Sequence, residues 1–387
     1  MPINKKTFCV APWYGVHLGS DKKLSPCCKY KQSEYEYTRM EEYFHSDPLN
    51  NLRQDLMNGV KNPNCSVCWK DEEKGGDSQR LISNRTIAGE TGARLFDQIK
   101  NPKLSNIKSF DLTLGNLCNL KCVMCKPNYS SQLLAEAVLN PDLKSIYDKE
   151  YHQKDFDWPK NDDFVEWCNK YLPQAIHIKF AGGEPFIVPW IHDVVERIPD
   201  EQKKKCILHF TTNLTVLNDK MFECFRKFKE VWISVSVEGV EATHEYLRYG
   251  HSWSLIAEHM SRIENMAIDN LILKINHVVQ SPSYHSIIPM TKFFDEKKLM
   301  IYPILLSRPS HFHLSALTET AKQQFLNSTA SYAGFNKKFI DFVRVASQEH
   351  IAQDTSLTKM CVQHLSRLDK VRKNSHKDII PAENISL

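Results

Sequence analysis

The sequence predicts an α/β protein: a partial (β/α)6 TIM-like barrel with a small cysteine-rich segment before it and a helical extension after it. Three observations carry that reading. Between about Ser105 and Ser307, six short runs rich in β-branched and aromatic residues alternate with helical patterns. The first hundred residues look different, with short stretches holding cysteines and aromatics. Beyond about residue 310 the periodicity turns helical.

The expected strands are 107–114, 175–182, 206–213, 230–237, 271–279 and 299–306. Each has the length and β-branched content of a buried strand. Helices are expected near 129–140, 162–172, 188–198, 217–228, 253–268 and 285–297. Alternation at this spacing implies right-handed crossovers and a parallel sheet, with ligands at the carboxyl ends of the strands. Before the barrel, DPLNNLRQDLMNG (47–59) reads as a helix. After it come two helical stretches, SALTETAKQQFLNSTASYAGF and KKFIDFVRVASQEH, and then a polar tail. The divisions are 1–100, 101–308 and 309–387.

Composition narrows the functional classes. With 42% apolar and 25% charged residues the chain is ordinarily globular. A net charge of +4 over 387 residues gives no reason to expect nucleic acid. No run approaches the ~20 apolar residues of a membrane span. The stretch MPINKKTFCVAPWYG has no apolar core of a secretory signal, so a cytoplasmic protein is expected. In that reducing setting, 12 cysteines read as metal ligands or core side chains rather than disulfides. Cys168 and Cys224 lie on amphipathic helical patterns and read as core, while Cys206 and Cys361 are isolated.

The tightest group is Cys118-Asn-Leu-Lys-Cys122-Val-Met-Cys125, directly after the first strand. Three thiols on one loop can grip one [4Fe–4S] cube and leave an iron open to another ligand. Zinc, or three unrelated thiols, are the alternatives. Zinc would need a fourth ligand, and the nearest histidine, His152, is distant in sequence.

CNLKCVMC is similar to the CxxxCxxC motif of the radical S-adenosylmethionine (SAM) superfamily, with Met124 at the hydrophobic position before the last cysteine. Further segments resemble that family in the same order. Gly182-Gly183-Glu184-Pro185 resembles its GGEP segment, which meets the SAM amino group. Thr211 and Asn213 end the third strand, where the family places ribose contacts. Ser234, Ser236 and the Glu238-Gly239 pair resemble its SxDG segment, with Glu238 in place of Asp. Arg248 resembles an arginine that pairs with the SAM carboxylate. The resemblance implies SAM and a [4Fe–4S] cluster as cofactors, and a flavodoxin- or ferredoxin-type electron donor. It also implies a 5′-deoxyadenosyl radical that takes hydrogen from the substrate.

Cys9, the Cys27-Cys28 pair, and Cys65 with Cys68 resemble the auxiliary-cluster regions called SPASM and twitch domains, although these normally follow the barrel. The implied ligands of a second [4Fe–4S] cluster are Cys9, Cys27, Cys65 and Cys68, with Cys28 as the alternate to Cys27 and Cys361 as an isolated candidate. A structural zinc or a purely structural cluster remains open there. His177, His209 and His277 fall within strands, where a satisfied core histidine competes with an acid/base role. Lys203, Lys204 and Lys205 read as a solvated turn. No catalytic residue is assigned. The expected substrate is a peptide or protein side chain, with a small metabolite as the alternative. A non-catalytic Fe–S scaffold is the reading from another class.

Overall fold

The computed structural model describes residues 6–30, 33–91, 99, 101–147 and 156–386. His152 lies outside them. Eight strands form one sheet in the order β2-β1-β3-β4-β5-β6-β7-β8. They are β1 (Gly15–Leu18), β2 (Leu24–Ser25), β3 (Ser109–Leu112), β4 (His177–Phe180), β5 (Ile207–Thr212), β6 (Glu230–Ser236), β7 (Leu271–Val279) and β8 (Ile301–Leu305). All neighbours are parallel except β1 and β2. β3 to β8 fall inside the six expected strands, and a helix follows at each expected place.

Strand parity explains the layering. The side chains turned toward the helices are apolar: Phe110, Phe180, Phe210, Ile233, Val235 and Ile275 are fully buried. Such burial is the main favourable term holding helix to sheet. Helix starts are fixed locally: Ser130, Asn218, Ser252 and Thr318 each accept a hydrogen bond from a first-turn amide.

The structure departs from the sequence reading in three places. The N-terminal segment is not only a cysteine-rich appendage, because β1 pairs in parallel with β3 and β2 then adds an antiparallel edge. Those strands are 4 and 2 residues long, too short for a periodic signal. The polar C-terminal stretch contains an 18-residue helix, Thr355–Arg372, capped by Asp354. Its buried stripe of Thr358, Cys361, His364, Leu365, Leu368 and Arg372 has helical spacing, but four of the six are not aliphatic. Lys203 is not solvated: it is buried, and its Nζ donates to Glu196 O (3.2 Å) and Asp200 Oδ1 (3.1 Å). No helix among the described residues is long and apolar enough to cross a membrane.

The sheet does not close, since β2 and β8 are its two ends. The N-terminal and C-terminal segments meet each other: Lys74 pairs with Glu349 (2.7 Å), and Gly76 packs against the Phe342 ring.

Candidate active site

The loop after β3 carries Cys118, Cys122 and Cys125, and both its flanks are fixed. Lys121 N donates to Tyr249 O (2.9 Å) and Val123 N to Leu247 O (2.8 Å). Ser130 Oγ donates to Leu120 O (2.6 Å) and Ser131 Oγ to Cys118 O (3.1 Å), so the next helix start grips the loop from its other side. Leu120 is fully buried as an apolar plug. Burial, followed by the neighbouring Cys122 thiol, pushes the Cys118 thiol up to about 12. Burial likewise raises Cys122 and Cys125. Three adjoining thiols that resist ionising on their own suit a site where a cationic centre stabilises the thiolates. Met124 packs against the trio.

The strand ends converge on this loop. Gly182 and Gly183 have φ of +78° and +59°. A Cβ on Gly182 would stand 2.3 Å from Thr113 Cγ2, and one on Gly183 2.3 Å from Leu117 O. Only glycine lets this segment lie so close to the cluster loop. The Glu184 carboxylate is fully buried and accepts from Phe186 N (3.0 Å), Thr212 Oγ1 (2.6 Å) and Asn213 N (2.6 Å). It therefore braces the end of β5. Asn213 Nδ2 donates to Asn119 Oδ1 (3.0 Å), which ties β5 to the cysteine loop itself. Thr211 and Ser234 are register partners on one face of the sheet, and Ser236 follows two residues on. Ser234 Oγ lies 2.9 Å from His209 Nε2.

Arg248 joins the two halves. Its Nη2 donates to Glu238 Oε1 (2.8 Å), and its Nη1 lies 3.8 Å from Cys122 Sγ. Among the described residues, its buried Nε has no hydrogen-bond partner. Glu238 is fully buried and also accepts from Val278 N (3.0 Å). Burial, countered by Arg248, moves its carboxyl up to about 7. Sequence reading placed Glu238 in the SxDG-like segment but did not anticipate that it clamps Arg248. Its place at a strand end, one residue before a glycine, was the available signal. Asn119 was also missed and carried no signal.

The face of the sheet turned away from the helices is polar. His17, Asp111, Lys179, His209 and Trp232 are consecutive register partners from β1 to β6. Lys179 Nζ lies 3.3 Å from Asp111 Oδ2, and His177 Nδ1 lies 3.0 Å from Ser109 Oγ. His209 shares this face with Thr211, whereas the buried His277 lies 2.8 Å from Val237 O on the other.

Four of the five N-terminal cysteines gather away from the trio. Cys9, Cys27, Cys65 and Cys68 line one small cavity with Tyr30, Trp69 and Arg80. Cys9 precedes the turn Ala11–Tyr14, Cys27 follows β2, and Cys65 and Cys68 begin the helix Ser66–Glu73. Arg80 holds these segments together, donating to Phe8 O (2.8 Å) and pairing with Glu72 (2.5 Å). Burial pushes the Cys9 and Cys65 thiols up to about 12 and also raises Cys27 and Cys68. Cys28 is not among the lining residues. It turns to the inner face of the sheet beside Asp111 and Lys179, where burial pushes its thiol up to about 11. Cys361 is elsewhere, buried with its Sγ 3.9 Å from Ser281 Oγ. Among the described residues, no three Cys, His, Asp or Glu side chains are drawn together tightly enough for a single metal ion. A wider cleft, about 730 Å³, opens between helices Asp162–Tyr171 and Pro189–Arg197 and reaches Asn116 and Leu117 before the cysteine loop.

Residues 112–282 match the family model of the radical SAM superfamily. No curated protein matches the chain. Among solved structures, Streptococcus suis SuiB is similar at 14% identity and a TM-score of 0.40, over 86% of this chain and 70% of that one. The anSMEcpe structure with bound AdoMet and Cp18Cys peptide is similar at 16% identity and a TM-score of 0.35. The match covers 56% of this chain and 56% of that one, so the chain spans about half the length of that protein. The motifs, the strand order and the family match agree over residues 112–282: this segment, somewhat less than half of the chain, is similar to the radical SAM superfamily.

Proposed function

We propose that Cys118, Cys122 and Cys125 hold the [4Fe–4S] cluster that the family implies, and that the strand ends around them receive SAM. The observation that carries this is Arg248, which reaches Cys122 on one side and is fixed by Glu238 on the other. Bound there, the cluster and SAM would supply a 5′-deoxyadenosyl radical by reductive cleavage. The chain's own residues do the rest. Arg248 offers a positive charge for the SAM carboxylate, held in place by the Glu238 pair. Gly182 and Gly183 let the backbone come within contact of the amino group. Thr211, Asn213, Ser234 and Ser236 present polar groups to the ribose side. The apolar layer behind the strands and the buried Leu120 keep water from the reacting centre.

Residues 101–308 would form this core. Residues 1–100 would hold a second [4Fe–4S] cluster on Cys9, Cys27, Cys65 and Cys68, an arrangement supported by their shared cavity. Four protein thiolates favour electron transfer over substrate ligation. Residues 309–387 would form the helical extension. A flavodoxin- or ferredoxin-type protein would supply the electron in the cytoplasm.

The hydrogen donor in this reading is a peptide or protein side chain, and the open sheet, with β2 and β8 unjoined, supports access for a chain. The second reading, a small polar metabolite, is favoured by the charged inner face at Asp111 and Lys179. The test is anaerobic reconstitution, reduction, and deuterium tracking from candidate peptides and metabolites into 5′-deoxyadenosine. Deuterium arriving from a metabolite alone would overturn the peptide reading, and no 5′-deoxyadenosine at all would leave only the scaffold.

A further inference from the structure

Lys274 stands on β7 opposite Ser234, and so on the inner face, one strand from the residues proposed to meet SAM. Its side chain is half-buried, yet among the described residues no carboxylate pairs with it. The Nζ instead lies 3.7 Å from the centre of the Trp232 ring and 5.7 Å from that of Tyr302. One further observation belongs to the same patch. Ile272, the register partner of Trp232 on this inner face, is 42% exposed. Glu230 lies on the same face at the start of β6, where its Oε2 accepts from Trp232 Nε1 (2.8 Å). The wall around the ammonium is therefore mainly apolar and aromatic. The other inner-face cation behaves differently, since Lys179 is matched by Asp111.

A half-buried cation set against aromatic faces, with the nearby Glu230 carboxylate hydrogen-bonded to Trp232 Nε1 and making no ion pair with it, gives up hydration that a ring recovers in part. A monoanion placed against it would regain the remainder through a charge-assisted hydrogen bond. A phosphate would want several donors, which one lysine does not provide. Resting on the radical SAM reading above, we propose that this patch is the substrate's anchor. The Lys274 ammonium binds a carboxylate of the substrate, and Trp232, Tyr302 and Ile272 enclose an apolar portion beside it. The substrate class is thus a carboxylate attached to an apolar body, with the hydrogen to be abstracted lying toward Ser234.

Burial lowers the Lys274 amine to about 8, with Glu230 opposing the shift. The other groups facing it are Tyr302 on β8, His177 on β4 and His209 on β5, and Asp77 and Arg85 lie beyond Tyr302. Only the ammonium attracts a carboxylate, so binding should weaken as pH rises through about 8.

The experiment is equilibrium dialysis of the anaerobically reconstituted, SAM-bound protein with 4-phenylbutyrate, its neutral amide, and phenyl phosphate. The acid should bind and the amide should bind at least about tenfold more weakly, as expected for one charge-assisted contact. Lys274→Met should lose about tenfold or more for the acid, Lys274→Arg should keep most of it, and the exposed Lys292→Met should change nothing. Equal binding of acid and amide overturns the proposal. So does undiminished binding by Lys274→Met, or no binding of the acid up to about 10 mM. Phenyl phosphate binding tenfold better than the acid would replace carboxylate by phosphate. A wild-type protein that binds the acid but makes no 5′-deoxyadenosine sinks the radical reading and leaves this site standing. SAM cleavage without binding does the reverse.

Discussion

The two cysteine sites are built in opposite ways. The trio occupies eight consecutive residues on one loop, pinned by hydrogen bonds from Ser130 and Ser131 and to the carbonyls of Leu247 and Tyr249. The quartet is gathered from residues 9 to 68, and its segments are held by Arg80 and by packing. A contiguous loop needs only its own spacing to bring three thiols together. A dispersed set depends on the fold closing around it. The trio should therefore be the robust site and the quartet the one that unfolds with its surroundings.

The largest expected effect breaks the trio. Replacing Cys118, Cys122 and Cys125 together by Ala should abolish reductive SAM cleavage, read as 5′-deoxyadenosine. It should leave roughly half of about eight bound irons, as two [4Fe–4S] clusters imply. If the triple variant still cleaves SAM, the assignment is wrong.

Next comes the quartet. Cys65→Ala with Cys68→Ala should remove about four irons while the trio's iron stays. Cys28→Ala should retain the full count, because Cys28 lies beside Asp111 rather than in the cavity. Iron loss in Cys28→Ala, with none in Cys27→Ala, would exchange their roles.

A smaller effect probes the packing between the GGEP segment and the trio. Gly183→Ala would force a Cβ to 2.3 Å from Leu117 O at a φ of +59°. A loss of about 2–3 kcal/mol in urea unfolding is expected, and a neutral result would mean the loop yields.

The smallest effect concerns acid. His277 is fully buried and holds a hydrogen bond with Val237 O, and burial lowers it to about 4 from 6.5. The unfolded chain takes up its proton first as pH falls, so stability should be lost between about pH 6.5 and 4. The loss should be on the order of 3 kcal/mol. His277→Asn should flatten that part of the pH profile of apoprotein melting, and an unchanged slope would place the sensitivity elsewhere.

Much of the barrel was legible because buried strands and amphipathic helices each carry a period. The patterns around Phe110, Phe210 and Ile233 needed no tertiary information. β1 and β2 were not legible, since strands of 4 and 2 residues carry no period and depend on β3 as a partner. The helix Thr355–Arg372 was missed because Thr358, Cys361, His364 and Arg372 fill its buried stripe. Arg372 is buried only because Glu136, far away in sequence, meets it at 2.8 Å.

By itself, then, the sequence determined the alternation of elements, the cysteine loop after the first barrel strand and the polar strand ends, because these are local and periodic. Only the tertiary structure decided that Glu238 clamps Arg248, that Asn213 reaches Asn119, and that Cys28 faces Asp111. It also decided that the Lys274 ammonium lies over the Trp232 ring. The physical reason is the same in each case. A charge or thiol acquires its character from what burial places beside it, and those neighbours come from distant parts of the chain.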